Sequence, residues 1–209
     1  MPVDKDGLTE EEFLRAYDPS VYERPSVTVD IILFDNKRTL LIRRGGHPFI
    51  GKWAFPGGFV EPYETVEQAA YRELFEETGL SEVEIKQLRC FSEPHRDPRT
   101  RIITIAFTGR LITRENHIIA GDDAENAAWF DISVLPVSTG VYRDGSYEDE
   151  YEIKLTNGRE KLICPVLRRS CPAPYPVDAN YVMRGDSPLA GDHALLLAAA
   201  IDSCKDIFT

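Results

Sequence analysis

Between Gly58 and Leu80 the chain reads GFVEPYETVEQAAYRELFEETGL, and its carboxylates fall where one helix can bring several of them together. Thr65 followed by Gln68 makes a capping box and Gly79 a left-handed stop, so the pattern predicts a helix from about Val66 to Thr78. At about 100° per residue, Glu73 and Glu77 lie one turn apart on one face with Glu76 beside them. Like charges so placed repel, and Arg72, one turn before Glu76, relieves only part of that repulsion. A divalent cation relieves the rest. Ligands that are all charged oxygens suit a hard ion, Mg²⁺ or Mn²⁺, and neither His nor Cys stands in the stretch to suggest zinc. Glu64, at the junction of loop and helix, is a candidate outer ligand or brace. Clustered Glu more commonly means a solvated helix face. Such a face, however, has no use for Gly57-Gly58 ahead of the loop, Arg72 directly before Glu73, and Gly79 directly after the helix.

Other residues could meet an anionic substrate. Arg43 and Arg44 end a predicted strand and stand at the rim of the loop RGGHPFIGKW, as phosphate contacts or as strand-end solubility. Arg96, Asp97 and Arg99 lie in SEPHRDPRT. There Pro94 and Pro98 stiffen a bend that either presents guanidinium groups to phosphate or pairs Arg with Asp internally. Trp53 could stack a base or pack in the core. The paired glycines let backbone approach a metal closely. Asp123 and Glu125, in GDDAE, could orient water, although turn chemistry explains the same residues.

The elements that must position these groups are legible by pattern. Thr9 and Glu12 predict a short first helix ending near Tyr17, stopped by Asp18-Pro19. Ser26 to Phe34, Thr39 to Arg44, Val83 to Phe91 and Arg101 to Leu111 read as strands. Farther on, Tyr147 to Thr156 and Arg159 to Leu167 flank Asn157-Gly158. A two-residue turn there would set Ile153 opposite Leu162 and Tyr151 opposite Cys164. Cys171 to Val177, with three prolines, predicts an extended linker. Asp192 then caps a last helix from His193 to about Asp206, with His193 in a capping or packing role.

The chain has 209 residues, 43% of them hydrophobic and 28% charged, which suits a single domain with a small embellishment. A net charge of -11 with no run of Lys or Arg argues against nucleic acid as a partner. A small pyrophosphate differs, because bound metal reverses the local field. Cys90, Cys164, Cys171 and Cys204 show no CxxC pairing, and the chain opens without a secretory signal, so reduced thiols in a cytoplasmic protein are expected. Buried thiols are favoured over a zinc site built from Cys164, Cys171 and His193. No apolar run reaches the roughly 20 residues that span a membrane.

The spacing from Gly58 through Glu64 and Arg72-Glu73-Leu74 to Glu76-Glu77 and Gly79-Leu80 matches the Nudix box, and the chain resembles Nudix hydrolases. The resemblance implies an α/β/α sandwich with a mixed sheet over one domain, 1–209. Its parts are a lead-in at 1–24, a core at 25–136, and an extra C-terminal hairpin, Pro-rich linker and closing helix at 137–209. AAWFDISVLP resembles the strand and short helix that close many such cores. The resemblance further implies that Glu73, Glu76, Glu77 and the Gly58 carbonyl hold Mg²⁺, that Arg72 braces the cluster, and that Glu73, Asp123 or Glu125 is the general base. Phe55 stands where the family more commonly has Leu.

FLRAYDPSVYERPSVTVDIILF and HRDPRTRIITIAFTGRL look like the branch that handles ADP-ribose, which includes pyrophosphatases and ADP-ribose-sensing regulators of NAD metabolism. On that likeness Arg96, Asp97 and Arg99 bind diphosphate or ribose, and a homodimer is a further expectation. Hydrolysis of ADP-ribose is expected ahead of a sensor role, since the tail offers no basic recognition helix. Other sugar nucleotides, dinucleoside polyphosphates, NADH and oxidised nucleoside triphosphates would present the same pyrophosphate.

Overall fold

The structure is a computed structural model that describes residues 2–112, 127–141, 146–170 and 179–208. Helix α1 (Glu10–Ala16) starts with the expected capping box at Thr9 and buries none of its residues. The sheet then begins with β1 (Ser26–Asp35), buried along most of its length. That is why its sequence is nearly continuously apolar, since a strand covered on both faces has no solvent side to alternate toward. It runs parallel to β6 (Ile102–Leu111) and antiparallel to β2 (Arg38–Arg43) and the short β4 (Gly57–Phe59), while β3 (Trp53–Ala54) pairs with β2. The remaining strands are β5 (Val83–Phe91), β7 (Ala127–Val141), β8 (Tyr147–Thr156), β9 (Lys161–Ser170) and β10 (Asn180–Met183), giving the order β10-β9-β8-β7-β2-β1-β6-β5.

Two helices cover the two faces. On one, α2 (Val66–Thr78) sets Ala69, Ala70 and Leu74 against Val29, Ile31 and Leu33. On the other, α3 (His193–Ser203) sets Ala194, Leu196 and Leu197 into a cluster with Ile32 and Phe34. The alternation along β1 thus feeds two cores, and the architecture is the expected α/β/α sandwich with a mixed sheet.

The C-terminal third departs from expectation in four places. AAWFDISVLP forms no helix but the first part of β7, a strand of 15 residues bent by a bulge at Pro136–Ser138. The β8–β9 connection takes four residues rather than two. Ile153 faces Cys164 and Tyr151 faces Val166, because Asn157 Oδ1 accepts from both Arg159 and Glu160 N–H in an Asx turn that widens the loop. A shift of two keeps each side chain on its expected face. Strand β10 was not anticipated, and the final helix breaks at Cys204 into α3 and α4 (Lys205–Phe208). The expected linker from Cys171 lies outside the described residues.

Asp202 anchors α3 to this added sheet. It accepts from Arg168 Nε at 2.7 Å and Tyr181 Oη at 2.8 Å and meets Lys205 Nζ at 3.0 Å. Burial alone would raise its carboxyl pKa, but these donors outweigh burial and hold it below the usual carboxylate range. The depressed value means a stabilisation present above an ordinary Asp pKa and lost as pH falls through the folded one. Asp202→Asn is expected to cost about 2 kcal/mol at neutral pH. The difference from wild type should close in strong acid, which melting curves across pH would read. No helix among the described residues is long and apolar enough to cross a membrane.

Candidate active site

Helix α2 has the predicted bounds because both ends are fixed locally. Thr65 and Gln68 satisfy each other's backbone N–H groups, and Gly79, at φ 72°, returns its N–H to the Phe75 carbonyl. On the face toward β4, Arg72 is the hub. Its Nε and Nη2 donate to Glu64 at 3.0 and 2.6 Å, and Nη1 donates to Glu73 at 2.8 Å and Glu76 at 3.1 Å. The remaining Nη2 contact, 3.0 Å to the Phe59 carbonyl, ties the helix to the strand that carries Gly58. Glu64 is therefore an arginine brace.

Glu73 and Glu77 both reach the β4 backbone, at Gly58 and Gly57, and Arg72 links Glu73 to Glu76. Among the described residues no three His, Cys, Asp or Glu side chains are grouped as a metal cluster. Glu73 lies against the Gly58 backbone, and Glu76 is half exposed. Glu77 accepts from Gly57 N–H at 2.8 Å. Burial first, then the Glu73 and Asp30 charges, push the Glu77 carboxyl up to about 7, against the opposing pull of the Gly57 N–H and Arg44. The residues present fit a hard divalent cation: the donors are all oxygen, and a buried carboxylate with like-charged neighbours is the condition such an ion relieves.

Gly58 and Glu77 open on a cavity of about 280 Å³, whose other walls come from β1, the loop after β2, the RDPR bend and the segment before α3. Arg44, Arg96, Asp97 and Arg99 line it. Arg96 is nearly buried and bidentate on Asp192, at 2.9 and 2.7 Å. Arg99 pairs with Asp97 at 3.0 and 2.8 Å, and its guanidinium lies over the Phe59 ring. Arg44 donates Nε to the Pro48 carbonyl at 2.8 Å. Arg43 and Trp53 are not among the lining residues. Trp53 is 4% exposed, packs edge-on to Phe130 and donates to Glu160, so its ring is core. Arg43 lies over that ring, 3.9 Å from Glu160. Asp123 and Glu125 lie outside the described residues. So does Cys171 of the zinc alternative, while Cys164 is a core thiol that burial pushes up to about 12.

Asp30, which the sequence reading passed over, and Asp192 and His193, which it took as capping or packing residues, also line the cavity. Asp30 carried a visible signal, a lone charge inside the apolar run VTVDIILF. Asp192 and His193 carried none, because only the fold returns them to the site. Asp192 starts α3 but makes no side-chain cap, its carboxylate being committed to Arg96.

The NUDIX domain profile matches residues 24–149. The chain belongs to the NUDIX family. It is 47% identical over 116 residues to the ADP-ribose pyrophosphatase of Methanocaldococcus jannaschii, covering 56% of this chain and 68% of that one. It is 34% identical over 105 residues to the ADPR responsive transcriptional repressor NtrR of Acinetobacter baylyi, covering 47% of this chain and 42% of the repressor. Among solved structures, a MutT/nudix family protein from Enterococcus faecalis is similar at TM-score 0.66 and 30% identity over 95% of this chain and 70% of its own. The NUDIX domain of Shewanella oneidensis NrtR, complexed with ADP ribose, is similar at TM-score 0.51 and 32% identity over 58% of this chain and 82% of its own. Divalent metal ions are general to Nudix hydrolases, in accord with the donor set around Glu77.

Proposed function

We propose that this Nudix pyrophosphohydrolase splits the pyrophosphate bond of ADP-ribose, giving AMP and ribose 5-phosphate. The observation that carries the reading is the complete box opening, through Gly58 and Glu77, on a cavity that arginines also line. The 47% identical relative named an ADP-ribose pyrophosphatase, and the similar NUDIX domain complexed with ADP ribose, support the choice of substrate.

Glu73, Glu76, Glu77 and the Gly58 carbonyl would hold Mg²⁺, which when bound neutralises phosphate charge and acidifies a water. The chain's own groups do the rest. Arg72 fixes Glu73 and Glu76 against β4, and Arg44, anchored through Nε on the Pro48 carbonyl, presents its guanidinium to the diphosphate. Arg99 can follow by leaving Asp97. The proton of the attacking water passes to a carboxylate, for which Glu73, Asp123 and Glu125 are the candidates. Free thiols at Cys90, Cys164 and Cys204 accord with a cytoplasmic setting.

The test is turnover of ADP-ribose beside a sugar nucleotide, a dinucleoside polyphosphate, NADH and a nucleoside triphosphate, with Mg²⁺ and with chelator. AMP release from ADP-ribose above the rest, abolished by chelator, is the expected result. A relative named as an ADPR responsive repressor motivates a second reading: saturable ADP-ribose binding without turnover of any compound would make the chain a sensor.

A further inference from the structure

The segment that returns to the site lies some forty residues beyond the NUDIX match, which ends at 149, yet it is stitched along the metal-site loop. Lys52 Nζ donates to the Ser187 carbonyl at 2.9 Å, and Ala190 N–H to the Trp53 carbonyl at 2.8 Å. At the next step the His193 ring takes the place of a backbone acceptor: its Nδ1 accepts from Phe55 N–H at 2.9 Å, with the imidazole stacked on the Phe55 ring. An Nδ1 that accepts a hydrogen bond leaves the ring proton on Nε2. Nε2 lies 3.6 Å from Asp30 Oδ1, too far for a direct hydrogen bond. The other Asp30 oxygen is engaged by the Thr104 hydroxyl at 2.6 Å.

Both residues line the cavity. A donor and an acceptor therefore stand side by side, close but unjoined, at its wall. A hydroxyl group, which donates and accepts at once, joins such a pair; a phosphate oxygen, which only accepts, does not. The local charge points the same way. Asp30 and Asp192 flank Arg96, whose guanidinium is bidentate on Asp192 and 3.9 Å from Asp30. Arg96 is thus already committed, and the free Asp30 oxygen at this wall is placed to accept a hydroxyl proton.

We infer that Asp30 Oδ1 and His193 Nε2 form a hydroxyl-recognising subsite for the sugar that the substrate carries beyond its diphosphate. This rests on the pyrophosphatase reading, which places the diphosphate at the Gly58–Glu77 end. The subsite selects a nucleoside diphosphate linked to a sugar over a nucleoside triphosphate, which would bring phosphate to the same wall. Arg96 acts here as a positioning residue that holds Asp192 and balances Asp30.

Two variants separate the ring's two nitrogens. In His193→Asn the amide oxygen can take the place of Nδ1 and keep the Phe55 bond, but nothing replaces the Nε2–H. In His193→Gln the amide N–H₂ can take the place of Nε2, but the Phe55 N–H loses its acceptor. The readouts are the ratio of kcat/KM for ADP-ribose to that for ATP, and the melting temperature. H193N should melt near wild type while its ratio falls at least about tenfold, and H193Q should melt lower while its ratio stays within about threefold. An unchanged ratio in H193N, or a ratio that falls only in H193Q along with the melting temperature, would reduce His193 to a brace of the metal loop and overturn the subsite. If wild type prefers another sugar nucleotide over ADP-ribose, the substrate assignment fails; the subsite then stands or falls on whether H193N lowers that compound's ratio to ATP.

Discussion

Glu77→Gln is expected to lower kcat for the preferred substrate by about 10³-fold at saturating Mg²⁺, while the substrate's binding constant changes little. Glu77 is the box carboxylate that faces the cavity; Glu73 and Glu76 are occupied by Arg72. Gln keeps the side chain's length, and its amide oxygen can still accept from Gly57 N–H, so the loop geometry survives. What disappears is the negative charge that attracts the cation, and that charge matters most as the transferring phosphoryl group develops its own. Loss of fold is not the expected cause. The substitution removes one of several like charges crowded around Gly57, so the variant should melt no lower than wild type when both are free of divalent cations. Thermal melting and single-turnover kinetics on one preparation read both effects. A kcat within about tenfold of wild type would remove Glu77 from the metal set.

The parts legible in the sequence are those whose causes are local. The α2 bounds follow from Thr65, Gln68 and Gly79, each acting within a few residues of itself. The strands of the core follow from apolar runs that the fold covers on both faces. Where a residue's partner is distant, the pattern goes silent. Asp192 reads as a helix cap, and the reading fails because Arg96, 96 positions earlier, competes for the same carboxylate with two charge-assisted bonds. His193 reads as a packing residue and does pack on Phe55, but its second nitrogen faces a strand 163 positions away, Asp30.

The β8–β9 turn shows a third kind of miss. Asn157-Gly158 favours a two-residue turn, but the Asn157 side chain found a better use in capping the N–H groups of Arg159 and Glu160. On α2, by contrast, Arg72 bonds Glu73 and Glu76 as the expected brace, because all three are neighbours on one short helix.

The packing of Glu73 on β4 makes Gly58 an exacting position in the site. A methyl group there would lie 2.4 Å from Glu73 Oε1 and 2.5 Å from Glu73 Cδ. Either the strand or the carboxylate must move. The strand is held, since Gly58 pairs with Val29 and Gly57 with Asp30 across β1. Glu73 must therefore yield, although Arg72 holds it at 2.8 Å. Gly58→Ala is accordingly expected to lower kcat/KM about 10²-fold and to raise the Mg²⁺ concentration for half-activation, because a displacement of about 1 Å in a positioned ligand is enough for that loss. Gly57→Ala should behave differently. Its methyl would meet the Val29 carbonyl oxygen at 2.1 Å, a clash with backbone that costs stability first. Gly45→Ala, with nothing within 4 Å of the added methyl, serves as the control for a glycine near the site that carries no such constraint. Mg²⁺ titrations of activity for the three variants separate these cases. If G58A shows the half-activation concentration of G45A, Glu73 has room to move without consequence, and the close packing of that carboxylate on the β4 backbone is incidental to catalysis.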